Sequence, residues 1–204
     1  MTILGVCVGL GLVGGLLIAL AAAWYYPNLP DLDKVTRYQP QQAMQVYTSD
    51  GVEIAQFGAE RRAFLPIAQI PRQMQDAVLA IEDTRFREHS GIDPIGVVRA
   101  VVANLTGGRR QGASTITQQV ARNFFLSNRK TAERKLKEAM LALKIEKSLT
   151  KDQILELYMN QIYLGHRAYG FGAAAQVYFG KPLAQLSVAE MAMLAGLPQN
   201  PAYP

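Results

Sequence analysis

Cysteine and histidine are scarce in this chain of 204 residues, which has one cysteine and two histidines. Cys7 lies within an apolar run, so the chain can form neither a disulfide framework nor a cysteine-based zinc site. His89 and His166 are too far apart in sequence to match a local pair of zinc ligands, so the sequence does not favour zinc. Stability must come from packing, and the length suits a membrane segment plus one domain.

Charge is absent from the first 30 residues, which contain no Asp, Glu, Lys or Arg. Residues 3–23 are almost all Leu, Val, Ile, Ala and Gly, about the ~20 residues needed to span a bilayer. A cleaved signal peptide is the alternative, because Ala21 and Ala23 form a small-x-small site, but a positive n-region is missing and the apolar stretch is long. The aromatic residues 24–26 resemble an interfacial belt and favour a retained helix. We predict one transmembrane anchor at residues 1–26.

Basic residues are concentrated in one part of the chain. The net charge is +5, but residues 109–151 contain 11 Lys or Arg and 3 Asp or Glu, a local charge of +8. Such a patch beside a membrane anchor suggests anionic lipid head groups or phosphates as partners. Nucleic acid is not supported, because the patch lacks interleaved aromatics and no nucleic-acid motif occurs.

Turn and capping signals organise the rest of the chain. Proline punctuates residues 27–35, and residues 44–58 alternate apolar and polar around Asp50-Gly51, which predicts a β-hairpin. From Pro71 onward the pattern is helical. The predicted helix starts are Pro71, Asp93 followed by Pro94, and capping boxes at Thr115 with Gln118, Thr150 with Gln153 and Ser187 with Glu190. We therefore expect a linker with a hairpin at 27–70 and a mainly α-helical domain at 71–204.

The stretch EDTRFREHSG, residues 82–91, places two carboxylates after an apolar helical segment. A carboxylate in that position can be partly desolvated, which raises its pKa, and general acid–base catalysis contributes about 10²–10⁴ in rate. Glu82 is therefore a candidate catalytic residue. The simpler alternative is a helix that ends in solvated charges, with Asp83 anchoring the turn through backbone N–H groups and His89 as a hydrogen-bonded structural histidine.

The stretch GGRRQGASTITQQVARNFF, residues 107–125, is a glycine-rich basic segment leading into a capped helix. The capping box alone is structural. Helix N-termini also bind anions, however, and the hydroxyls and amides here could hold sugars or phosphates, with Arg122 one turn on. The residues concerned are Ser114, Thr115, Gln118 and Gln119. The loop before them is a candidate mobile lid.

The stretch KTAERKLKEAMLALKIEKSL, residues 130–149, has a cationic face bordered by Glu138. At about 100° per residue, Lys130, Arg134, Lys137 and Lys144 share that face, and roughly opposite lie Ala132, Leu136, Ala139, Met140 and Leu143. One interpretation is a solvated surface with an Arg134–Glu138 pair worth a few tenths of a kcal/mol. The other is a cation cluster that neutralises a leaving phosphate, with Glu138 orienting the cations or sharing a divalent metal.

Three further patterns favour structure over chemistry. S-x-x-K occurs at residues 127–130 and 148–151, but without S-D-N or K-T-G it does not support a serine acyltransferase, and no transpeptidase site is expected. The Gly- and Ala-rich residues 170–181 indicate close helix packing and a glycine stop. Tyr158 and Asn160 are expected to serve as a core residue and a cap.

In order and wording, EDTRFREHSG, GASTITQQ, RKLKE, KDQILELYMN and GFGAAAQVYFGK resemble the five motifs of the family-51 peptidoglycan glycosyltransferases, found in class A penicillin-binding proteins. The resemblance covers the chain from about residue 45. It implies a membrane anchor, a short β-containing linker and a lysozyme-like α-helical transferase domain. At the C-terminus the sequence departs from the pattern, because such domains continue further, and we expect a domain cut near its end.

The resemblance also implies residue roles. Glu82 is implied to be the general base that deprotonates the 4-hydroxyl of the acceptor lipid II, and Glu138 to act at the donor pyrophosphate, with a divalent cation in reach. The residues implied to support the base or bind substrate are Asp83, Phe86, His89, Ser114, Thr115, Gln118, Gln119, Arg122, Lys130, Arg134 and Lys137.

The same resemblance implies Mg²⁺ or Mn²⁺, no organic cofactor and inhibition by moenomycin. The implied partners are lipid II, the growing lipid-linked glycan, the membrane and cell-wall elongation or division proteins. The implied location is the bacterial inner membrane, with a single pass and the catalytic domain outside. Two other functions stay open: a lysozyme-like peptidoglycan hydrolase, which also uses carboxylates, and a non-catalytic membrane scaffold.

Overall fold

The predicted anchor is only partly covered by the structure. The computed structural model describes residues 14–16, 19–21, 23–36, 38, 44–51, 53–58, 60–107, 112–126 and 131–199. Residues 14–16, 19–21 and 23–25 are helical, Tyr26 begins a 3-10 helix, and the rest of the predicted span lies outside this part of the chain. Among the residues described, no helix combines the length and the apolar character needed to cross a membrane.

The described chain is mainly α-helical, as expected, with small β elements. Its helices are α1 (Asp33–Thr36), α2 (Arg72–Glu82), α3 (Pro94–Leu105), α4 (Ile116–Phe125), α5 (Ala132–Ser148), α6 (Lys151–Gln161), α7 (Phe171–Phe179) and α8 (Val188–Gly196). Short 3-10 helices lie at Tyr26–Asn28, Ile67–Gln69, Leu183–Gln185 and Leu197–Gln199. The strands are β1 (Met44–Tyr47), β2 (Glu53–Phe57), β3 (Arg61–Arg62) and β4 (Ala168–Tyr169).

Local signals in the sequence account for most element ends. β1 and β2 pair antiparallel, which confirms the predicted hairpin, and Gly51 in its turn has a φ of 86°, which glycine adopts without strain. All three predicted capping boxes are present. Asp93 is the N-cap of α3 with Pro94 following, although the Asp93 side chain makes no cap hydrogen bond. The parallel pairing of β3 with β4 was not predicted.

The core forms where α4 packs against α5 and α6, and where α2 packs against α8. Tyr158 of α6 is fully buried, as predicted for a core residue. Asn160 does not act as a cap: its amide donates to the Leu65 carbonyl and its Oδ1 accepts from the Leu65 N–H, both at 2.8 Å. Residues from the predicted linker join the same core, namely Leu29, Leu32, Val35 and Ile70.

Helix α5 buries mainly the face that carries Glu138, and of the apolar face named in the sequence analysis only Met140 is among its buried residues. Its buried residues are Glu138, Met140, Leu141, Ala142 and Ile145. Leu143, on the apolar face identified in the sequence, is 43% exposed. The difference comes from the tertiary structure. The face centred on Glu138 packs against α4, and this contact determines which residues of α5 are buried.

Candidate active site

A cleft of about 660 Å³ opens where the end of α2, the start of α3 and the start of α4 converge. Six predicted site residues line it: Glu82, Asp83, Ser114, Thr115, Gln119 and Arg122. The other nine lining residues were not predicted as site residues, and they include Thr84, Asp93, Gly96, Arg99 and Gln199. The first two sequence stretches therefore meet at one site, because α2 ends against the N-terminus of α4.

Glu82, the last residue of α2, is a half-buried carboxylate facing this cleft. Its Oε2 accepts a hydrogen bond of 2.8 Å from Gln119 Nε2, whereas Oε1 is buried without a hydrogen-bond partner among the described residues. Burial raises the pKa of Glu82, although the Gln119 bond and the Arg122 charge oppose this effect. The group is therefore a stronger base than an exposed glutamate.

Tyr158 of α6 lies close enough to Glu82 to feel its charge. This side chain is fully buried, and its hydroxyl has no hydrogen-bond partner within the described chain. Burial raises the pKa of Tyr158 well above its usual range, and the negative charge of Glu82 adds to the effect. Tyr158 is thus a buried neighbour of Glu82 that is expected to stay uncharged.

Asp83, the next residue, is fully engaged by protein groups. Its carboxylate accepts from the backbone N–H of Ile116 at 2.9 Å, at the positive end of α4, and from His89 Nε2 at 3.0 Å. His89 Nδ1 accepts from the Gly91 N–H at 3.2 Å, which leaves Nε2 as the nitrogen that donates to Asp83. These contacts match the structural alternative for Asp83 and His89: together they hold the end of α2 against α4.

Phe86 supports this arrangement, together with Lys151 and Glu146, which were not predicted as site residues. Phe86 is buried edge-on to the His89 ring. Lys151 Nζ lies 4.5 Å from the centre of the Phe86 ring, donates to the His89 carbonyl at 2.6 Å and pairs with Glu146 at 2.7 Å. In the sequence, Lys151 is marked only by the S-x-x-K pattern at residues 148–151, and no local pattern links it to His89.

Glu138 is buried behind the cleft and does not line it. Its side chain is 1% exposed and contacts Arg134 Nε at 3.1 Å and Lys135 Nζ at 2.8 Å. Lys135 reaches the rim of the cleft, where Nζ donates to Ser114 Oγ at 2.8 Å, and it also approaches Gln118 Oε1 at 3.4 Å. Lys135 was missed, although its position three residues before Glu138 is a signal for such a pair.

Lys137 does not join this cluster. Lys137 Nζ pairs with Glu133 at 2.7 Å and lies 4.8 Å from the centre of the Tyr25 ring. Lys130 and residues 108–111 of the candidate lid lie outside the described residues.

A protein-held metal does not fit Glu138. Both of its oxygens already contact cations, and no group of three or more His, Cys, Asp or Glu side chains suited to a metal occurs in the part of the chain described. A divalent ion usually takes one or two carboxylates plus phosphate oxygens and waters. No catalytic step is therefore assigned to a metal ligated by Glu138.

Comparison with known proteins gives consistent matches. A family model described as Transglycosylase matches residues 50–204. Penicillin-binding protein 1A of Neisseria cinerea is 54% identical over 201 residues, 98% of this chain and 25% of the relative. Penicillin-binding protein 1A of Escherichia coli (strain K12) is 57% identical over 176 residues, 86% of this chain and 21% of the relative. The chain thus spans about a quarter of the length of these curated relatives.

A solved structure is also similar. The crystal structure of Penicillin-binding protein 1A from Haemophilus influenzae is 31% identical and covers 80% of this chain and 15% of its own. The TM-score is 0.40, which is too low to support an argument about the fold.

Proposed function

Because the chain belongs to the transglycosylase family, we propose that it is a membrane-anchored peptidoglycan glycosyltransferase. The proposed reaction polymerises lipid II into β-1,4-linked glycan strands with inversion and release of polyprenyl pyrophosphate. The observation that carries the proposal is the setting of Glu82, a desolvated carboxylate with a raised pKa that faces an open cleft beside Arg122.

In the proposed step, Glu82 accepts the proton of the acceptor's 4-hydroxyl as that oxygen attacks the anomeric carbon of the donor. The bond between this carbon and the diphosphate oxygen breaks, and its electron pair leaves with the diphosphate. Attack from the opposite side inverts the anomeric configuration. The raised pKa of Glu82 favours proton uptake, and the Gln119 hydrogen bond holds the carboxylate in one orientation.

The largest requirement of this reaction is to stabilise the negative charge that develops on the departing diphosphate, and cations held in place can do so. Arg122 lines the cleft and has no hydrogen bond or salt bridge with any described side chain. Lys135 sits at the rim on Ser114. We assign Glu138 the role of positioning Lys135 and Arg134, because its buried carboxylate contacts both. Mg²⁺ or Mn²⁺ is proposed to accompany the diphosphate of the substrate.

The other carboxylates of the cleft favour a transferase over a hydrolase. A glycosidase uses two carboxyl groups, roughly 5–9.5 Å apart, as acid and as base or nucleophile. Asp83 is taken up by Ile116 and His89, and Asp93 lies 3.1 Å from Arg85 and 4.0 Å from Arg99. Neither lining residue is available as a second reactive carboxylate, whereas a diphosphate leaving group needs no general acid.

The cellular setting follows from the same proposal. Residues 1–26 anchor the chain in the bacterial inner membrane, with the catalytic domain outside, where lipid II and the growing glycan are met. Cell-wall elongation or division proteins are the proposed protein partners.

The deciding experiment supplies the full chain with lipid II and Mg²⁺ and separates the products by gel electrophoresis. We expect long glycan strands, and no product with moenomycin. Shortening of preformed glycan without polymerisation would instead establish a hydrolase. No reaction in either assay, with Glu82→Gln indistinguishable from the parent, would favour a scaffold.

A further inference from the structure

The side of α5 that points away from Glu138 forms part of a second groove. Met140, Leu143, Lys144 and Lys147 follow one another at i, i+3, i+4 and i+7, which places them on one face of the helix. With Ala23 and Tyr26 they line a groove of about 300 Å³. At about 100° per residue, this face is centred nearly opposite Glu138. One helix thus separates the groove from the candidate active site.

The two lysines of this groove have no acidic partner in the part of the chain that the structure describes. Lys144 Nζ donates only to the Pro30 carbonyl, at 3.2 Å, and Lys147 has neither a hydrogen bond nor an ion pair with any described residue. Leu143 between them is 43% exposed. Lys137, two turns before Lys144, differs because it pairs with Glu133. The groove therefore combines an apolar floor with two uncompensated cations at its rim.

The groove also adjoins the end of the apolar N-terminal sequence. Ala23 and Tyr26 form one of its walls, and they lie at the C-terminal end of the stretch proposed to anchor the chain in the bilayer. Trp24 and Tyr26 are 76% and 58% exposed, as expected of aromatic side chains that lie at a membrane interface. Phospholipid head groups and acyl chains would be the molecules nearest to this groove.

We propose that the groove binds an anionic phospholipid, with its phosphate between Lys144 and Lys147 and the upper part of an acyl chain on Met140 and Leu143. Charge complementarity selects the head group, since each lysine near an anionic lipid surface contributes to binding. The inference rests on the proposed membrane location and is independent of the transfer reaction. It makes α5 a helix that contacts lipid on one face and holds Glu138 on the other.

The test uses the full chain in nanodiscs of phosphatidylcholine, titrated with short-chain phosphatidylglycerol below its micelle concentration. Trp24 is the sole tryptophan and lies between the wall residues Ala23 and Tyr26 in the sequence, so its fluorescence is the probe for lipid next to this groove. We expect a saturable change for the parent chain. The double variant Lys144→Gln/Lys147→Gln should bind roughly tenfold more weakly or worse. Arg72→Gln/Lys181→Gln removes the same charge from exposed surface pairs outside the groove and should bind like the parent.

Two further arms identify the ligand. Inorganic phosphate at the same concentration should leave Trp24 fluorescence unchanged, and Leu143→Ser should weaken lipid binding while keeping both lysines. Equal binding by the parent and the double lysine variant, or an equal response to phosphate, would overturn the inference. Polymerisation of lipid II is measured on the same samples, so a groove that fails in an active enzyme is distinguished from failure of the proposed function.

Discussion

Helices α3 and α4 both begin at the cleft and have similar lengths, yet they are built in opposite ways. α4 has the more polar sequence, ITQQVARNFF, and buries six consecutive residues, from Ile116 to Ala121. α3 has the more apolar sequence, PIGVVRAVVANL, and buries only Gly96 and Ala100. Its exposed residues include Val98 at 63% and Leu105 at 81%.

The difference lies in packing partners. α4 packs between α5 and α6, whereas α3 packs to a comparable extent against none of the other described elements. Burial of polar residues in α4 is tolerated because each is satisfied: Gln119 bonds Glu82, Gln118 closes the capping box and Thr117 donates to Glu146. The polar helix is thus the rigid wall of the cleft.

The largest expected effect is at Glu82, which is bonded to α4. Glu82→Gln removes the proposed base, so lipid II polymerisation should fall by about 10²–10⁴. The melting temperature should stay the same or rise. Because burial raises the pKa of Glu82, the charged form is less stable in the folded state, and this destabilisation is present at neutral pH and lost as pH falls.

The pH profile tests the same residue. For the parent chain, the acidic limb of the polymerisation rate should have its midpoint above 4.5, the ordinary glutamate value. Glu88→Gln serves as the control, because Glu88 is exposed and pairs only with Arg85. A Glu82→Gln enzyme with full activity would remove Glu82 from the mechanism.

Asp83 tests whether the N-terminus of α4 depends on a buried carboxylate. Asp83→Ala leaves the Ile116 N–H and His89 without their acceptor, so the free energy of unfolding should fall by about 1–3 kcal/mol for each of these two buried groups. Asp76→Ala, in the same helix but exposed, should change it by less than about 0.5 kcal/mol. Urea unfolding gives both values, and equal effects would contradict the proposed anchoring.

Glu138 tests the link from α5 to the cleft. Glu138→Gln weakens the hold on Arg134 and Lys135, and we expect polymerisation to fall by roughly 10–100-fold, as expected when oriented charge stabilisation is weakened. If Glu138 positions cations for the leaving group, the loss should fall on kcat more than on KM. Lys137→Gln is the control on the same helix, since Lys137 faces Glu133 and Tyr25; an equal loss in this variant would contradict the assignment.

The smallest expected effects compare the two helices directly. Val120→Ala in α4 deletes fully packed methyl groups and should lower the free energy of unfolding by about 1–2 kcal/mol. Val98→Ala in α3 should change it by less than about 0.5 kcal/mol, because Val98 is already exposed. Thermal or urea unfolding measures both. A larger loss for Val98 would mean that α3 is covered in the folded protein.

Most of what could be predicted of the fold came from short-range signals in the sequence. The capping boxes at Thr115, Thr150 and Ser187 and the hairpin at Gly51 depend on residues within a few positions, and the structure contains each of them. The convergence of residues 82–91 with residues 112–122 at one cleft followed from the family resemblance. The roles assigned to these residues stay predictions.

The features that could not be predicted depend on contacts between residues that are far apart in the sequence. The periodicity of the sequence cannot show that α3 exposes its apolar residues, because whether a helix has a packing partner depends on the tertiary structure. The same holds for α5, whose buried face carries Glu138. Lys151 reaches the His89 carbonyl across 62 positions, and no local pattern marks such a pair.

Gly91 is the point at which the loop that carries His89 packs against α5. It has a φ of 93°, and a Cβ there would lie 3.0 Å from the backbone carbonyl of Ala142 in α5. The loop carrying His89 is therefore in direct backbone contact with α5, with no side chain between them to absorb displacement. This close approach fixes how near the loop that carries His89 can lie to α5, and only glycine at position 91 permits it.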